Sequence, residues 1–576
     1  MKYEKLASPL LTAYEDFRSS GEPALRMRSR AMGMISAEGR PRPARVVVFL
    51  HCDEEKDFTA LTPQGLQVNQ RRGRIRTAIL PLESLDALSE DDGVHRIVPA
   101  RYLKPRMDVA LPKMHIPEFR GMSLTGQGVI LGVVDTGIDT SHPAFAGRIL
   151  KIWDQTLSGA GVPEGGYGAE LAGSTFAMTR DTHGHGTHVG GIAGGSDPKY
   201  GGIAPRADYV VVKTDFMNAH IADGIRYIFR VARELNRPAV VNLSLGGHGD
   251  AHDGTDSLSQ IIDQEAGAGR IVCCAAGNEG NDNIHAQSIV GGGHMRRMRF
   301  LVPDMSVTLA ALNGWYPGSA TLEVSVRSPG GFVTPYQPVI TFGSPVRSYT
   351  LPDGGVTIAT PGPDPDNGDH NFWIEIKGET DGHPVAGGIW LLRVRNNTTQ
   401  GAELHVWTLD DEGGRVVFTG TSVKDSVKIG SPGSASSAIT VAAYTTKVEW
   451  TDVNGADHSV GFELDDITDF SSEGPLRNGA RKPDVAAPGA MIASTLSTQS
   501  APTAAWILDV RNRVNAGTSM ACPFIAGLTA LLLQRDPKLD PTGVKALLSP
   551  HSRIPGKASG SFHPKWGFGV IDATNL

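Results

Sequence analysis

The chain has 576 residues, of which 40% are hydrophobic and 20% charged, the usual proportions of a globular protein. This length allows roughly three or four domains. The formal net charge of −7 is small, the one dense basic stretch (residues 71–76) is short, and no apolar run approaches the ~18 residues of a membrane span. Neither a nucleic-acid partner nor a membrane partner is therefore expected.

The first hundred residues predict a small, separate unit. Apolar residues recur there first at helical spacing and then in strand-like runs, and a polar stretch with two prolines follows. We expect an α+β unit over residues 1–105 that ends in a linker. Its predicted elements are helices over residues 4–18 and 83–90 and strands over residues 44–52, 76–82 and 94–98.

From residue 128 the pattern changes to short, wholly apolar strands separated by helices. Such alternation is typical of βαβ units and a parallel sheet. Functional side chains in these sheets gather at the carboxyl ends of the strands. This part of an α/β domain is predicted over residues 106–281. Its strands are expected at residues 128–134, 209–212, 239–245 and 270–276.

Residues 282–425 interrupt that domain. Apolar and polar residues alternate there with a period of two, and turns rich in glycine and proline separate the runs. This pattern predicts an inserted β-sandwich or jelly roll. Short, wholly apolar strands return over residues 426–576, and a helix is predicted from residue 519 to 534. The insertion contains none of the candidate catalytic residues, so we expect it to brace its neighbours or to select protein substrates.

Three motifs share one chemical mechanism. Asp135 ends an apolar strand, His185 begins a predicted helix, and Ser519 lies just before another helix. A serine hydroxyl becomes a good nucleophile when an imidazole removes its proton. The imidazole in turn needs a buried carboxylate to orient it and to stabilise its cation. These residue types, in the order Asp, His, Ser, predict a catalytic triad.

Asn278 adds a fourth part to this arrangement. It follows a buried strand, where its amide can donate a hydrogen bond to a developing oxyanion beside the main-chain N–H of Ser519. Each motif alone is more often a turn, a helix cap or a surface loop. The agreement of four motifs in order makes the catalytic interpretation the stronger one.

These motifs resemble those of the subtilase family of serine peptidases. The four signature segments are DTGID (135–139), HGTHVGG (185–191), AAGNEG (275–280) and GTSMACPFIAG (517–527). The resemblance covers about half of the chain. It implies a subtilisin-like α/β fold in which Ser519 is the nucleophile, His185 the general base, Asp135 the orienting carboxylate and Asn278 the oxyanion donor.

The resemblance also implies a binding cleft for an extended peptide. Two main-chain edges would pair with the substrate, and a glycine would form the floor of the first specificity pocket, leaving it open to large apolar residues. The edges are Ser244, Leu245, Gly246 and Ala275, Ala276, Gly277, and the floor is Gly430.

Two features set expectations about cofactors and location. Many relatives bind calcium through an aspartate where this chain has Ala144, so no metal and no other cofactor is expected. The four cysteines (Cys52, Cys273, Cys274 and Cys522) are best interpreted as free, buried thiols in a reducing compartment. The amino terminus lacks the features of a signal peptide. The cytoplasm is therefore the expected location.

The layout is similar to that of the Csp-type subtilases of bacterial spore germination, which carry a jelly roll between the Asn and Ser motifs. Residues 1–105 resemble, more weakly, a subtilase prodomain. The resemblance implies a self-processing zymogen whose partners are a peptide or protein substrate and its own prodomain. Two alternatives remain: a pseudopeptidase that serves as a scaffold, and a carbohydrate- or surface-binding protein that acts through the jelly roll.

Overall fold

The computed structural model describes residues 2, 5–6, 14, 34–35, 45–68, 72, 74–99, 110–121, 123–303, 307–378, 384–410 and 416–576. The chain divides into two units, residues 1–105 and 106–576. Within the described residues, no helix is long and apolar enough to cross a membrane.

In its described residues, the first unit is an antiparallel sheet on which the helix Leu85–Glu90 packs. Strand β2 pairs with β1, β4 and β5, and β4 also pairs with β3. Alternate residues Val46, Val48 and Leu50 are buried and pack with Leu85 and Leu88 of the helix. The helix predicted over residues 4–18 lies almost wholly outside the described residues. The elements are β1 (Met34–Ile35), β2 (Arg45–Cys52), β3 (Gln67–Val68), β4 (Ile75–Pro81), α1 (Leu85–Glu90) and β5 (Val94–Pro99).

The second unit begins with two short helices and then the first half of an α/β domain. Its elements, in chain order, are α2 (Ala110–Lys113), α3 (Ile116–Arg120), β6 (Ile130–Asp135), β7 (Ile149–Asp154), β8 (Ala169–Leu171), α4 (His185–Gly194), β9 (Asp208–Lys213), α5 (Asn218–Glu234), β10 (Ala239–Leu243), α6 (Ser257–Glu265) and β11 (Arg270–Ala275).

A run of strands follows, with no helix among its described residues, and then the second half of the α/β domain. The strands of the run are β12 (His285–Val290), β13 (Met295–Val302), β14 (Leu309–Tyr316), β15 (Leu322–Arg327), β16 (Val346–Leu351), β17 (Gly354–Ala359), β18 (His370–Lys377), β19 (Gly388–Asn396), β20 (Ala402–Asp410) and β21 (Val417–Thr419). The second half comprises β22 (Ile439–Thr445), β23 (Glu449–Thr451), β24 (Asp457–Ser459), β25 (Val485–Ala490), β26 (Ile492–Thr495), β27 (Ile507–Asp509), β28 (Asn512–Asn515), α7 (Thr518–Arg535), α8 (Pro541–Leu548), β29 (Ser552–Arg553) and β30 (Val570–Ile571).

A ten-stranded sheet forms the centre of the α/β domain, in the order β29-β30-β25-β22-β11-β10-β6-β9-β7-β8. Every strand from β30 to β7 runs parallel to its neighbours, and only β29 and β8 at the edges are antiparallel. This arrangement confirms the predicted α/β class. Because parallel strands share one carboxyl edge, it also brings the ends of β6, β10 and β11 together.

Helices cover both faces of this sheet. Leu131 and Val133 of β6 pack in the cluster that contains α4 and α7, whereas Ile130 and Val134 pack in the cluster that contains α5 and α6. Alternate side chains of β6 thus pack against the helices on opposite faces of the sheet. Because both faces are covered, the strand is apolar at every position.

The strands β12 to β21 lie between β11 and β22, which are neighbours in the central sheet. They form two antiparallel sheets, in the orders β12-β20-β14-β18-β17-β16 and β15-β19-β13-β21. Buried side chains of both sheets, among them Trp390 and Ile374, form one hydrophobic cluster between them. The insertion therefore has a core of its own, and its two ends meet at adjacent strands of the α/β domain.

Candidate active site

Asp135 is the last residue of β6, in which every residue is buried. Its side chain has no exposed surface. The Oδ1 atom accepts a hydrogen bond from the N–H of Thr136 (2.7 Å) and lies 2.7 Å from Nδ1 of His185. A carboxylate in this position holds the proton of the imidazole on Nδ1 and leaves Nε2 able to accept another.

His185 is the first residue of α4, and the end of β6 fixes where that helix begins. Thr136 Oγ1 accepts a hydrogen bond from the N–H of Gly186 (2.9 Å). A Cβ atom at Gly186 would lie 2.1 Å from the carbonyl oxygen of Gly137, so a glycine is needed for this close approach. Burial would lower the pKa of His185, but the charge of Asp135 and the hydrogen bond to it raise the pKa above its ordinary value of 6.5.

Ser519 is the second residue of α7. Its Oγ donates a hydrogen bond to the carbonyl oxygen of Ser244 (3.2 Å), and the Ser244 hydroxyl donates to the carbonyl oxygen of Ser519 (2.9 Å). Among the described residues, no hydrogen bond joins Ser519 to His185. The position at a helix amino terminus leaves main-chain N–H groups available near the hydroxyl.

Asn278 follows β11 and is oriented from α7. Its Oδ1 accepts hydrogen bonds from the N–H (2.8 Å) and the hydroxyl (3.0 Å) of Thr518. In the described part of the chain its Nδ2 has no protein acceptor. Fixing Oδ1 in this way directs the amide N–H groups outward, which is the arrangement that a negatively charged oxygen requires.

One cavity of about 400 Å³ collects the residues of the predicted site. His185, Asn278 and Ser519 line it, and Asp135 lies behind His185. The predicted substrate-binding residues line the same cavity: Ser244, Leu245, Gly246, Ala275, Ala276, Gly277 and Gly430.

The cavity also has walls that were not predicted as site residues. Among them is His183, which the sequence favoured as a solvated loop histidine. The others include Phe216, His248 and Glu279, together with Thr136. Glu279 lies within the AAGNEG segment (275–280), and His248 lies two residues after the edge 244–246, so their positions in the sequence already indicated that they are near the site. A histidine and a carboxylate share this cavity with Gly430. The expected apolar preference remains a prediction.

A second cavity, of about 490 Å³, adjoins the first. Phe216, Leu245, Gly246 and Gly247 line both cavities. The inserted sandwich contributes Trp315, Asp364 and Asp366 to the wall of the second cavity. The insertion therefore forms part of the surface beside the first cavity.

Ala144 stands where the family resemblance places a calcium ligand. The nearest carboxylate in a signature segment is Asp139, and both of its oxygens already accept hydrogen bonds. Asp139 accepts hydrogen bonds from Ser141 through Oδ1 and from Thr498 through Oδ2, each time from an N–H and a hydroxyl. No group of three or more His, Cys, Asp or Glu side chains suited to a metal is present in the described ranges.

Comparisons with known proteins concern the family and the fold. A model of the subtilase family matches residues 126–294 and 382–569. The serine protease AprX of Bacillus subtilis (strain 168) is 29% identical over 243 residues, which are 39% of this chain and 48% of that protein. The major intracellular serine protease of the same strain is 29% identical over 211 residues, 34% of this chain and 59% of that protein. The chain thus spans about half the length of these curated relatives.

One solved structure resembles most of the chain. The Clostridium perfringens CspB protease superposes with a TM-score of 0.66 and 24% sequence identity, covering 82% of this chain and 98% of that protein. At this identity the likeness concerns the fold.

Proposed function

Since the chain belongs to the subtilase family, we propose that it is a serine endopeptidase that hydrolyses peptide bonds in proteins. The observation that carries the proposal is the 2.7 Å contact between Asp135 and His185 beside a cavity that Ser519 and Asn278 also line. A scaffold that only binds a partner has no use for these four groups together.

The reaction would begin with attack of Ser519 Oγ on the carbonyl carbon of the scissile bond. His185 Nε2 accepts the hydroxyl proton, and buried Asp135 stabilises the resulting cation. The negative charge that develops on the carbonyl oxygen is stabilised by Asn278 Nδ2 and the N–H of Ser519. His185 then gives the proton to the leaving amine. Water, activated by the same imidazole, hydrolyses the acyl-enzyme and restores Ser519.

An extended peptide would bind along the two edges of the cavity, residues 244–246 and 275–277. Main-chain hydrogen bonds supply affinity without regard to sequence, and the cavities beside them supply preference. The carbonyl oxygen of Ser244, which accepts the Ser519 hydroxyl, is an acceptor that a substrate N–H can take over. Substrate binding would then release the hydroxyl toward His185.

We further infer that the protein is made as a zymogen. In this proposal residues 1–105 act as a prodomain and self-cleavage occurs between residues 100 and 114, of which residues 100–109 lie outside the described residues. Cys273, Cys274 and Cys522 are free and buried, which supports a reducing compartment such as the cytoplasm as its location.

A fluorophosphonate probe tests the proposed activity in one step. It should label the wild type and should not label Ser519→Ala, and hydrolysis of a denatured protein substrate should follow the labelling. An unlabelled, inactive wild type would instead favour a pseudopeptidase.

A further inference from the structure

A line of polar and aromatic side chains connects the oxyanion donor to the insertion. Glu279 Oε2 lies 3.3 Å from His248 Nε2, and His248 Nδ1 lies 2.9 Å from His252 Nε2. The His252 ring stacks on Trp407 of β20, with ring centroids 3.8 Å apart and planes at 4°. The catalytic cavity is at one end of this line and the inserted sandwich at the other.

The acceptors along this line determine where its protons reside. His252 Nδ1 lies 3.1 Å from the carbonyl oxygen of Asp250, an acceptor, so this nitrogen carries a proton. His252 has no exposed surface, and this burial holds its pKa well below the usual value. The ring is therefore neutral, and its Nε2 carries no proton. The Nε2 atom of His252 therefore accepts a hydrogen bond from the Nδ1–H of His248.

His248 therefore faces Glu279 with its second nitrogen. A bare nitrogen against a carboxylate oxygen would be repulsive, so a proton lies between them. Burial would raise the pKa of Glu279, but the hydrogen bond and charge of His248 hold it below its ordinary value. The contact thus brings a His248 N–H to the Glu279 carboxylate.

The carboxylate of Glu279 holds the main chain of the oxyanion donor. Its Oε2 accepts the N–H of Asn278 (2.8 Å) and the hydroxyl of Ser472 (2.9 Å). The preceding residue, Gly277, has φ = +108°, and a Cβ there would lie 2.6 Å from the same oxygen. The main chain at Asn278 is therefore fixed by Glu279, while Thr518 fixes its side-chain amide.

The insertion holds the other end of the line. The Trp407 indole N–H donates to the carbonyl oxygen of Val427 (2.8 Å), which fixes the ring under His252. Asn313 of β14 donates through Nδ2 to the carbonyl oxygens of His248 (3.0 Å) and Asp250 (2.7 Å). His248 is thereby held on both its main chain and its ring.

We propose that His248 is a positioning residue for the oxyanion donor, acting on Asn278 through Glu279, and that the inserted sandwich supports catalysis by holding His248. The proposal rests on the peptidase function proposed above. Loss of the His248 N–H would leave the carboxylate of Glu279 without this hydrogen-bond donor, and its hold on Asn278 would weaken. Small displacements of a catalytic donor are costly because the stabilisation depends on its distance from the oxyanion.

The test is a double-mutant cycle on the full chain. His248→Phe keeps a ring and removes both N–H groups. We expect kcat to fall about tenfold, a fraction of the 10²–10³-fold cost of losing the donor itself, with KM changed less than about twofold. In an Asn278→Ala background the same substitution should have almost no further effect. His248→Gln, whose amide can still donate to Glu279, should restore most of the activity.

Two chromogenic peptides that differ only in the residue before the scissile bond, Phe in one and Lys in the other, separate positioning from direct contact. Positioning of Asn278 predicts the same loss on both. A loss on one peptide alone, a full loss retained in the Asn278→Ala background, or an unchanged kcat would each overturn the proposal. Activity that persists in Ser519→Ala would instead overturn the peptidase function.

Folding is checked by thermal unfolding of every variant. Glu279→Gln keeps the shape of the side chain and removes its charge, so it serves as a second probe. It too should lower kcat in the wild type and have almost no further effect in the Asn278→Ala background. His458→Phe is the matched control, because His458 also contacts a carboxylate, Asp452 at 2.9 Å, but in the hairpin of β23 and β24. It should leave kcat unchanged.

Discussion

The hydroxyl of Ser519 donates to the carbonyl oxygen of Ser244, 3.2 Å away, and not to His185 among the residues described. Without a substrate, the proposed nucleophile thus faces the edge that would bind the peptide. Catalytic hydrogen bonds are often long or absent before the substrate binds. Formation of the Ser519–His185 contact would then depend on the substrate taking over the Ser244 oxygen.

The first prediction concerns pH. The general base must be neutral, and the pKa of His185 is raised above 6.5, because the charge of Asp135 outweighs burial. The value of kcat/KM should therefore fall as the pH decreases through a midpoint above 6.5. Asp135→Asn should reduce the rate by about 10⁴-fold and move the midpoint of the remaining activity to lower pH. A midpoint that stays in place would show that His185 is not the titrating group.

The second prediction concerns Asn278. Replacement by alanine removes a donor that acts on the transition state more than on the bound substrate. We expect kcat to fall by about 10²–10³-fold, the cost seen when a subtilisin loses this donor, with little change in KM. Steady-state kinetics on one chromogenic peptide measures both. A rise in KM at constant kcat would assign Asn278 to substrate binding instead.

The four residues proposed for catalysis could be predicted because each lies in a contiguous motif at the end of a strand or the start of a helix. Parallel strands bring such ends to one edge, so the order of motifs in the chain was enough to group them. Trp407 could not be predicted in this way. It lies 155 positions after His252 (407 − 252), and its stacking there depends on how a sandwich with its own core packs against a loop of the α/β domain. Period-two alternation identified the sandwich but carries no information about its neighbours.

The third prediction concerns maturation. If residues 1–105 are a prodomain, the wild type should cut itself between residues 100 and 114, and Ser519→Ala should remain full length. Intact-mass measurement of both proteins gives the answer and the position of the cut. A wild type that stays intact and fully active would show that the unit is a retained domain.

The fourth prediction concerns calcium. With Ala144 in place of a carboxylate, and both oxygens of Asp139 committed to Ser141 and Thr498, a chelator should shift the melting temperature by less than about two degrees. A tight site saturated at 1,000 times its Kd would add about 4 kcal/mol to the free energy of unfolding. Differential scanning calorimetry with and without chelator distinguishes the two cases, and a large shift would reveal a site built from other oxygens.

The last prediction separates the stability of the insertion from its support of the cleft. Asn313 and Asn396 are both buried in the insertion, and each amide makes two Nδ2 hydrogen bonds to carbonyl oxygens. Those of Asn313 reach the loop that lines the two cavities, whereas those of Asn396 stay within the sandwich. Either change to alanine removes two hydrogen bonds to main-chain carbonyl oxygens, which should lower the free energy of unfolding by about 1–3 kcal/mol.

Their effects on catalysis should differ. Well below the melting temperature, Asn313→Ala should reduce kcat/KM severalfold, because the loop that carries His248 and Asp250 loses both of these hydrogen bonds. Asn396→Ala should leave kcat/KM unchanged, since its partners Val290 and Gln400 belong to the insertion. Peptide hydrolysis and chemical denaturation of the two variants provide the comparison. Equal kcat/KM values at equal loss of stability would mean that the insertion stabilises the protein without shaping its active site.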